Sequence, residues 1–273
     1  MADRRAVGNA TRRPLPGRRW LLQHGPIDIV LSIDGTAKSV AYGEEIVWTR
    51  FQSVLTELCD ELAALRQPMD RAPHLRGVVA KKMAHACVPF AGQFITPMAA
   101  VAGAVADHLV EPLRTLDGVH KAYANNGGDI AIHLTPGECY RVGVVANVSA
   151  ADESARLNGD FELRYETPVR GVATSGWRGS SFSLGIADSV TVLAASAAAA
   201  DAAATMIGNS VNVDHPGIQR QLAETLKDDT DLRGHWVTIA VPQLAPNVVA
   251  AALDAGATQA SVLRSKGDRK SVV

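Results

Sequence analysis

Leu193-Ala194-Ala195-Ser196-Ala197-Ala198-Ala199-Ala200-Asp201-Ala202-Ala203-Ala204-Thr205-Met206-Ile207 is built almost wholly of small apolar residues. The stretch predicts a helix from Ala194 to about Ile207, and a helix that is apolar all round is a buried one. An unpaired carboxylate inside it is expensive, so Asp201 needs a partner. Thr205 lies four residues on, on the same helical face. Two hard oxygens one turn apart suit Mg²⁺ or Ca²⁺ better than zinc. A carboxylate that caps a neighbouring loop, or pairs with an arginine, is the alternative.

Working outward, Ser189–Leu193 feeds this helix as a strand, and Phe161–Thr167, Cys139–Val145, Ile130–Leu134 and Val119–Ala124 are also extended. Thr96-Pro97 opens a second small-residue helix over Met98–Ala106, with Thr as cap and Pro in the first turn. Asp107 and Asp201 each follow an Ala-rich run, a weak sign of an old duplication. Nearer the start, Ile27–Ile33 alternates as a strand. Asp34-Gly35 then predicts a hairpin with a return strand over Ala37–Tyr42. A helix from Glu44 to Arg66 carries Val47, Phe51, Val54, Leu55, Leu58, Leu62 and Leu65 at three- and four-residue spacing. Trp236–Val241 reads as a strand, and a last helix runs from Pro246 to Gly256. Strands and helices alternate with hairpins mixed in, which gives an α+β class with a mixed sheet. One domain is expected over residues 20–265. Residues 1–19, with six Arg and two Pro, read as a flexible basic arm, and residues 266–273 as a loose tail.

Three segments could carry chemistry. In Asn125-Asn126-Gly127-Gly128-Asp129 the paired glycines could turn successive N–H groups toward a phosphate or carboxylate, or simply make a turn between strands. Gly171–Ser181 gathers Thr174, Ser175, Arg178 and Ser181 and would suit an anion or a polar ring substituent, or be a solvated loop. The third is the Asp201 helix. Asp188 is a further polar anchor. His85 and Cys87, two residues apart, do not face each other on a helix and read as core packing, and His215 reads as a turn residue.

In this order, Asn126-Gly127-Gly128-Asp129-Ile130, Ala173-Thr174-Ser175-Gly176, Ser189-Val190-Thr191-Val192 and Ala200-Asp201-Ala202-Ala203-Ala204-Thr205 resemble segments of the ApbE-type FAD:protein FMN transferases. A shorter ApbE-like branch is more similar still, at Pro97–Gly103, Ser181–Asp188 and Ala204–Asn209. The resemblance covers about Ile27 to Gly267. It implies an α+β fold of mixed sheets and packed helices around a central cleft. It also implies that Asp201 and Thr205 match the residues that hold Mg²⁺ beside the FAD pyrophosphate, with the Asn-Gly-Gly-Asp and Thr-Ser-Gly segments lining the same cleft. The chain departs from the transferases where they carry His-x-x-Asp-Pro-x-Thr-Gly. Here Trp177–Asp188 fills that gap without His or Pro. The lipid-anchored Cys near the N-terminus of many transferases is also absent.

Composition narrows the partners. The 273 residues carry 27 Lys+Arg against 28 Asp+Glu, a balance without the basic excess that nucleic-acid binding needs. No apolar run reaches a bilayer span, and the three cysteines lack the pairing of a disulfide or zinc framework. The Arg12-Arg13 pair is followed by too short an apolar stretch for a signal core, so a cytoplasmic location is expected. The reading is an ApbE-like enzyme of small-molecule metabolism that forms a homo-oligomer, with neither nucleic acid nor membrane among its expected partners. Its substrate is a small anionic compound, a carboxylate or ring-containing acid, gripped in the former flavin cleft by Arg178 and the Gly127-Gly128 backbone, with Mg²⁺ assistance. The alternatives are a flavin-handling protein, either a transferase or an FAD/FMN binder, and a non-catalytic binding or assembly module.

Overall fold

The computed structural model describes residues 8–144 and 159–266. A seven-stranded sheet organises the fold, in the order β1 (Thr11–Leu15), β2 (Arg19–His24), β3 (Ile27–Gly35), β4 (Val119–Asn126), β5 (Asp129–Leu134), β8 (Gly171–Ser175) and β9 (Val190–Ala194). The α+β class stands. The sheet, expected as mixed, pairs its strands antiparallel throughout, and short turns join three of its six neighbouring pairs. Two ribbons, β6 (Cys139–Val144) with β7 (Gly159–Arg164) and β10 (Gln219–Leu222) with β11 (Trp236–Ala240), stand apart from it.

Helices α1 (Ala37–Asp60), α3 (Val78–Cys87) and α4 (Val101–Val110) share a core with the first strands, while α5 (Ala197–Ser210) packs on β8 and β9. Two single turns, α2 (Leu62–Leu65) and α6 (Ala223–Leu226), and the long α7 (Pro246–Lys266) complete the chain. Alternation in β3 buries Ile29, Leu31 and Ile33, and the three-four spacing in α1 buries Val47, Phe51 and Val54 in the same cluster.

Four expectations are corrected. The basic arm over residues 1–19 is a strand from Thr11 onward. Its Arg12 guanidinium lies 5.5 Å from the centre of the Trp20 ring and 5.1 Å from that of Trp48, and pairs with Glu45 at 2.8 Å. Stacked on two aromatic faces, this charge anchors an edge strand, where Pro14 is tolerated. Residues 1–7 and the tail after Lys266 lie outside the described residues. Secondly, Asp34-Gly35 makes no hairpin. Thr36 caps α1, its hydroxyl accepting from Ser39 N–H at 3.3 Å, and Gly35 is small because a Cβ there would come within 2.1 Å of the Gly118 carbonyl oxygen. Thirdly, α7 does not stop at Gly256, which instead makes room for Val211. Finally, Gly171–Ser175 is strand β8 rather than loop, with Gly171 pressed against the Ser196–Ala197 backbone. Helix α3 was not foreseen.

Candidate functional site

Helices α4 and α5 lie side by side and exchange carboxylates. Asp107 on α4 accepts the Ala197 and Ala198 N–H groups at the start of α5, at 3.1 and 2.9 Å. Asp201 on α5 accepts from Gly103 N–H at 3.0 Å, and from Ala102 N–H, in the first turn of α4. Each acid thus satisfies N–H groups that a helix leaves unpaired at its own start. The contact is close because Gly103 is a glycine: a Cβ would fall 2.3 Å from the Ala197 carbonyl oxygen.

The turn between β4 and β5 reaches the same place. Gly127 and Gly128 both have positive φ, +64° and +112°, as a tight hairpin of this type requires. Gly128 N–H donates to Asn125 Oδ1 at 2.9 Å, and Asn126 Nδ2 donates to the Ala102 carbonyl at 3.2 Å, which ties the turn to the start of α4. A Cβ on either glycine would meet open space. The glycines therefore serve the backbone conformation, and the N–H of Gly128 is already taken by Asn125. From the end of this hairpin, Asp129 accepts Thr174 N–H of β8 at 3.2 Å. The Thr174 and Thr191 hydroxyls are 2.9 Å apart across β8 and β9.

Asp129 and Asp201 are consequently neighbours, each deeply embedded although part of its surface still meets solvent. Burial pushes the Asp129 carboxyl up to about 7, against the pull of the Thr174 N–H. Burial and then the charge of Asp129 hold Asp201 well above the usual carboxylate range, against the pull of two backbone N–H groups. No cationic side chain offsets either carboxylate among the described residues. Cys87 is close enough to feel Asp201, and its buried thiol is pushed up by burial first and by that charge second. It donates to the Thr96 carbonyl and is no nucleophile. His85, on the exposed side of α3, does not meet it.

The residues singled out in the sequence divide accordingly. Asn126, Gly127, Gly128, Asp129, Thr174 and Asp201 are brought together, and Thr205 follows half-buried one turn along α5. Ser175 continues β8, paired with Val190. Arg178 is not an open anion clamp: its Nε donates to Asp188 at 2.7 Å and its guanidinium stacks 4.9 Å from the Trp177 ring centre. Asp188 is correspondingly no buried anchor but an exposed partner that also takes the Trp177 indole N–H at 3.1 Å. Ser181 is exposed and makes no hydrogen bond among the described residues. The backbone N–H groups of Ala102 and Gly103 were missed. The small-residue run Pro97–Gly103 was their only sequence signal.

The residues present fit a divalent cation of the Mg²⁺ type. Two embedded carboxylates that repel each other, with no Lys or Arg between them among the described residues, are the donor set a hard ion neutralises. Among the described residues no cluster of three or more His, Cys, Asp and Glu forms a complete protein cage. Mg²⁺ commonly takes only one or two carboxylates and fills its remaining positions with water and ligand oxygens.

A family model described as AbpE bacteria matches residues 12–273. A UPF0280 protein of Methanothrix thermoacetophila is 39% identical over 148 residues, 54% of this chain and 56% of the relative. A UPF0280 protein of Methanopyrus kandleri is 37% identical over 154 residues, 55% of this chain and 56% of the relative. The chain spans about half the length of the curated relatives it matches. Two solved structures are also similar. The ApbE protein of Thermotoga maritima has 14% identity and a TM-score of 0.45, over 76% of this chain and 88% of that one. The flavinyl transferase ApbE of Pseudomonas stutzeri, in its apo form, has 16% identity and a TM-score of 0.35, over 76% and 85%.

Proposed function

The chain belongs to the AbpE bacteria family, and we propose that it is an ApbE-like enzyme of small-molecule metabolism whose cleft takes a small anionic substrate with the help of Mg²⁺. One observation carries the reading. Asp129 and Asp201, from different elements, meet in an embedded place where no cationic side chain among the described residues offsets them. A structural pair of this kind would be expected to hold an Arg or Lys, whereas a cation-binding pair leaves that position open. Asp129 and Asp201 would hold the ion, with the Thr205 hydroxyl as a third oxygen. Mg²⁺ held there would neutralise the charge of a phosphate or carboxylate and so favour attack on that group or its departure as a leaving group. The chain's own residues hold the site in shape: Gly103 and Ala102 N–H groups fix one carboxylate, Thr174 N–H the other, and Asn126 locks the hairpin to α4.

Flavin handling in the same cleft is the second reading, supported by the Asn-Gly-Gly-Asp and Asp-x-x-x-Thr segments shared with the transferases. Melting curves with and without Mg²⁺ test the first claim. Wild type gains several degrees in Mg²⁺, and Asp201→Asn, which keeps an acceptor for Gly103 N–H, gains nothing. A wild type indifferent to Mg²⁺ would overturn it. Yellow protein that releases flavin on denaturation would favour the second reading.

A further inference from the structure

A hollow lies on the side of α5 away from Asp201. Ala199, Ala203 and Ile207 share one face of the helix, and Asp201 and Thr205 are each offset from that face by about 200°. The hollow has a volume of about 560 Å³, which is within the roughly 300–1,000 Å³ typical of small-ligand sites. Its existence follows from the sequence of α5, where alanines face the gap between α3, β9 and α7 and leave it unfilled. Phe90, Val192, Ile207 and Leu263 supply apolar walls.

The charges around it do not balance. Lys82, Arg114 and Arg264 line the hollow against Asp107 and Glu111. Glu111 is matched by Lys82 at 3.1 Å. Asp107 spends both oxygens on the Ala197 and Ala198 N–H groups. Arg114 faces Asp107 as a long ion pair at 3.9 Å without a hydrogen bond to it, and the exposed Arg264 has no acidic partner among the described residues. An apolar pocket edged by guanidinium donors of this kind is complementary to one acid group on an apolar body, because the guanidinium fork matches a carboxylate.

We propose that this hollow is a binding site, separate from the carboxylate cleft, for a small amphipathic carboxylic acid. The apolar body lies against the alanine face of α5 and the acid group meets Arg264 and Arg114.

Calorimetric titration of the full chain with octanoate and with 1-octanol tests it. Octanoate binds, octanol binds at least about tenfold more weakly, and Arg264→Glu weakens octanoate about tenfold while leaving octanol unchanged. Ala203→Leu, which fills the hollow, weakens both ligands. Should that variant fail to fold, the surface variant Arg264→Glu still decides. Asp201→Asn binds octanoate as wild type does, which separates this site from the cleft. Absence of octanoate binding at millimolar concentration, equal affinity for octanol, undiminished binding by Arg264→Glu, or loss of binding in Asp201→Asn would each overturn the proposal.

Discussion

Asp201 is held in two ways that pull in opposite directions. The carboxylate is fixed by N–H groups at the start of α4, which favours the charged form, while burial and Asp129 favour the neutral one. The sequence made the embedded acid visible and left its purpose open between capping and metal binding. The structure shows the capping, and the metal stays with the proposal. Substitutions separate the two. Asp201→Ala leaves two buried N–H groups without an acceptor and lowers stability by ~1–3 kcal/mol, whereas Asp201→Asn keeps the acceptor and folds normally. Chemical denaturation of both variants checks this. Asp129 adds a pH dependence. Its carboxyl titrates near 7 in the fold, from an ordinary value of 3.8. Across that interval the folded chain keeps a proton that the unfolded chain has lost, so this group's contribution to stability falls as pH rises from about 4 to about 7. Asp129→Asn removes this group's share of the slope and leaves the share that burial gives Asp201. In Mg²⁺-free buffer it melts above wild type at about pH 8, and the gap closes toward about pH 4. A gap that is constant across this range would show that Asp129 is not perturbed.

Among the elements, the α4–α5 pair is the part that fixes Asp201, and its reciprocal caps were only half legible. The small-residue runs announced close packing and the two acids were noticed, but a carboxylate that seals the start of another helix leaves no local signature. The elements misread share a cause. Asp34-Gly35, Gly171 and Gly256 were taken as marks of turns, a loop and a helix end, whereas each glycine is there for close approach of another segment. Sequence shows that a residue is small. It does not show whether conformation or contact demands it. Strands with plain alternation, such as β3, and the helix α1 with its three-four spacing were legible because their own pattern states which face is buried. The cap between helices gives a prediction at this scale. Asp107→Ala orphans the Ala197 and Ala198 N–H groups and destabilises by ~1–3 kcal/mol, while Gly103→Ala forces the helices apart and costs a similar ~1–3 kcal/mol. Either variant should also reduce the Mg²⁺-dependent gain in melting temperature, since both displace the backbone that fixes Asp201.

At the scale of the whole molecule, the sheet begins where charge alone suggested a solvated arm. Truncation through Leu15 removes β1, uncovers Trp20 and Trp48, and should lower the melting temperature by several degrees. An unchanged melting curve would restore the arm. The larger question is what the assembled cleft can do to a flavin. Transfer of FMN to a protein needs the FAD pyrophosphate held on the metal and an acceptor hydroxyl activated beside the phosphorus. On the reading proposed above, the carboxylate pair and Thr205 would meet the first requirement. For the second, the segment that carries a histidine in the transferases is here Trp177–Asp188, and the chain has closed it on itself. Arg178 and Trp177 both engage Asp188, and Ser183 and Leu184 N–H are tied to Asn209 of α5. No base that is free near neutral pH faces an incoming hydroxyl from this segment. Incubation with FAD, Mg²⁺ and a flavin-acceptor protein should therefore leave the acceptor's mass unchanged, while a transferase run in parallel adds one FMN. Addition of FMN by this chain would mean that a base from elsewhere in the cleft replaces the histidine, and Asp129, with its carboxyl near 7, would be the first residue to substitute.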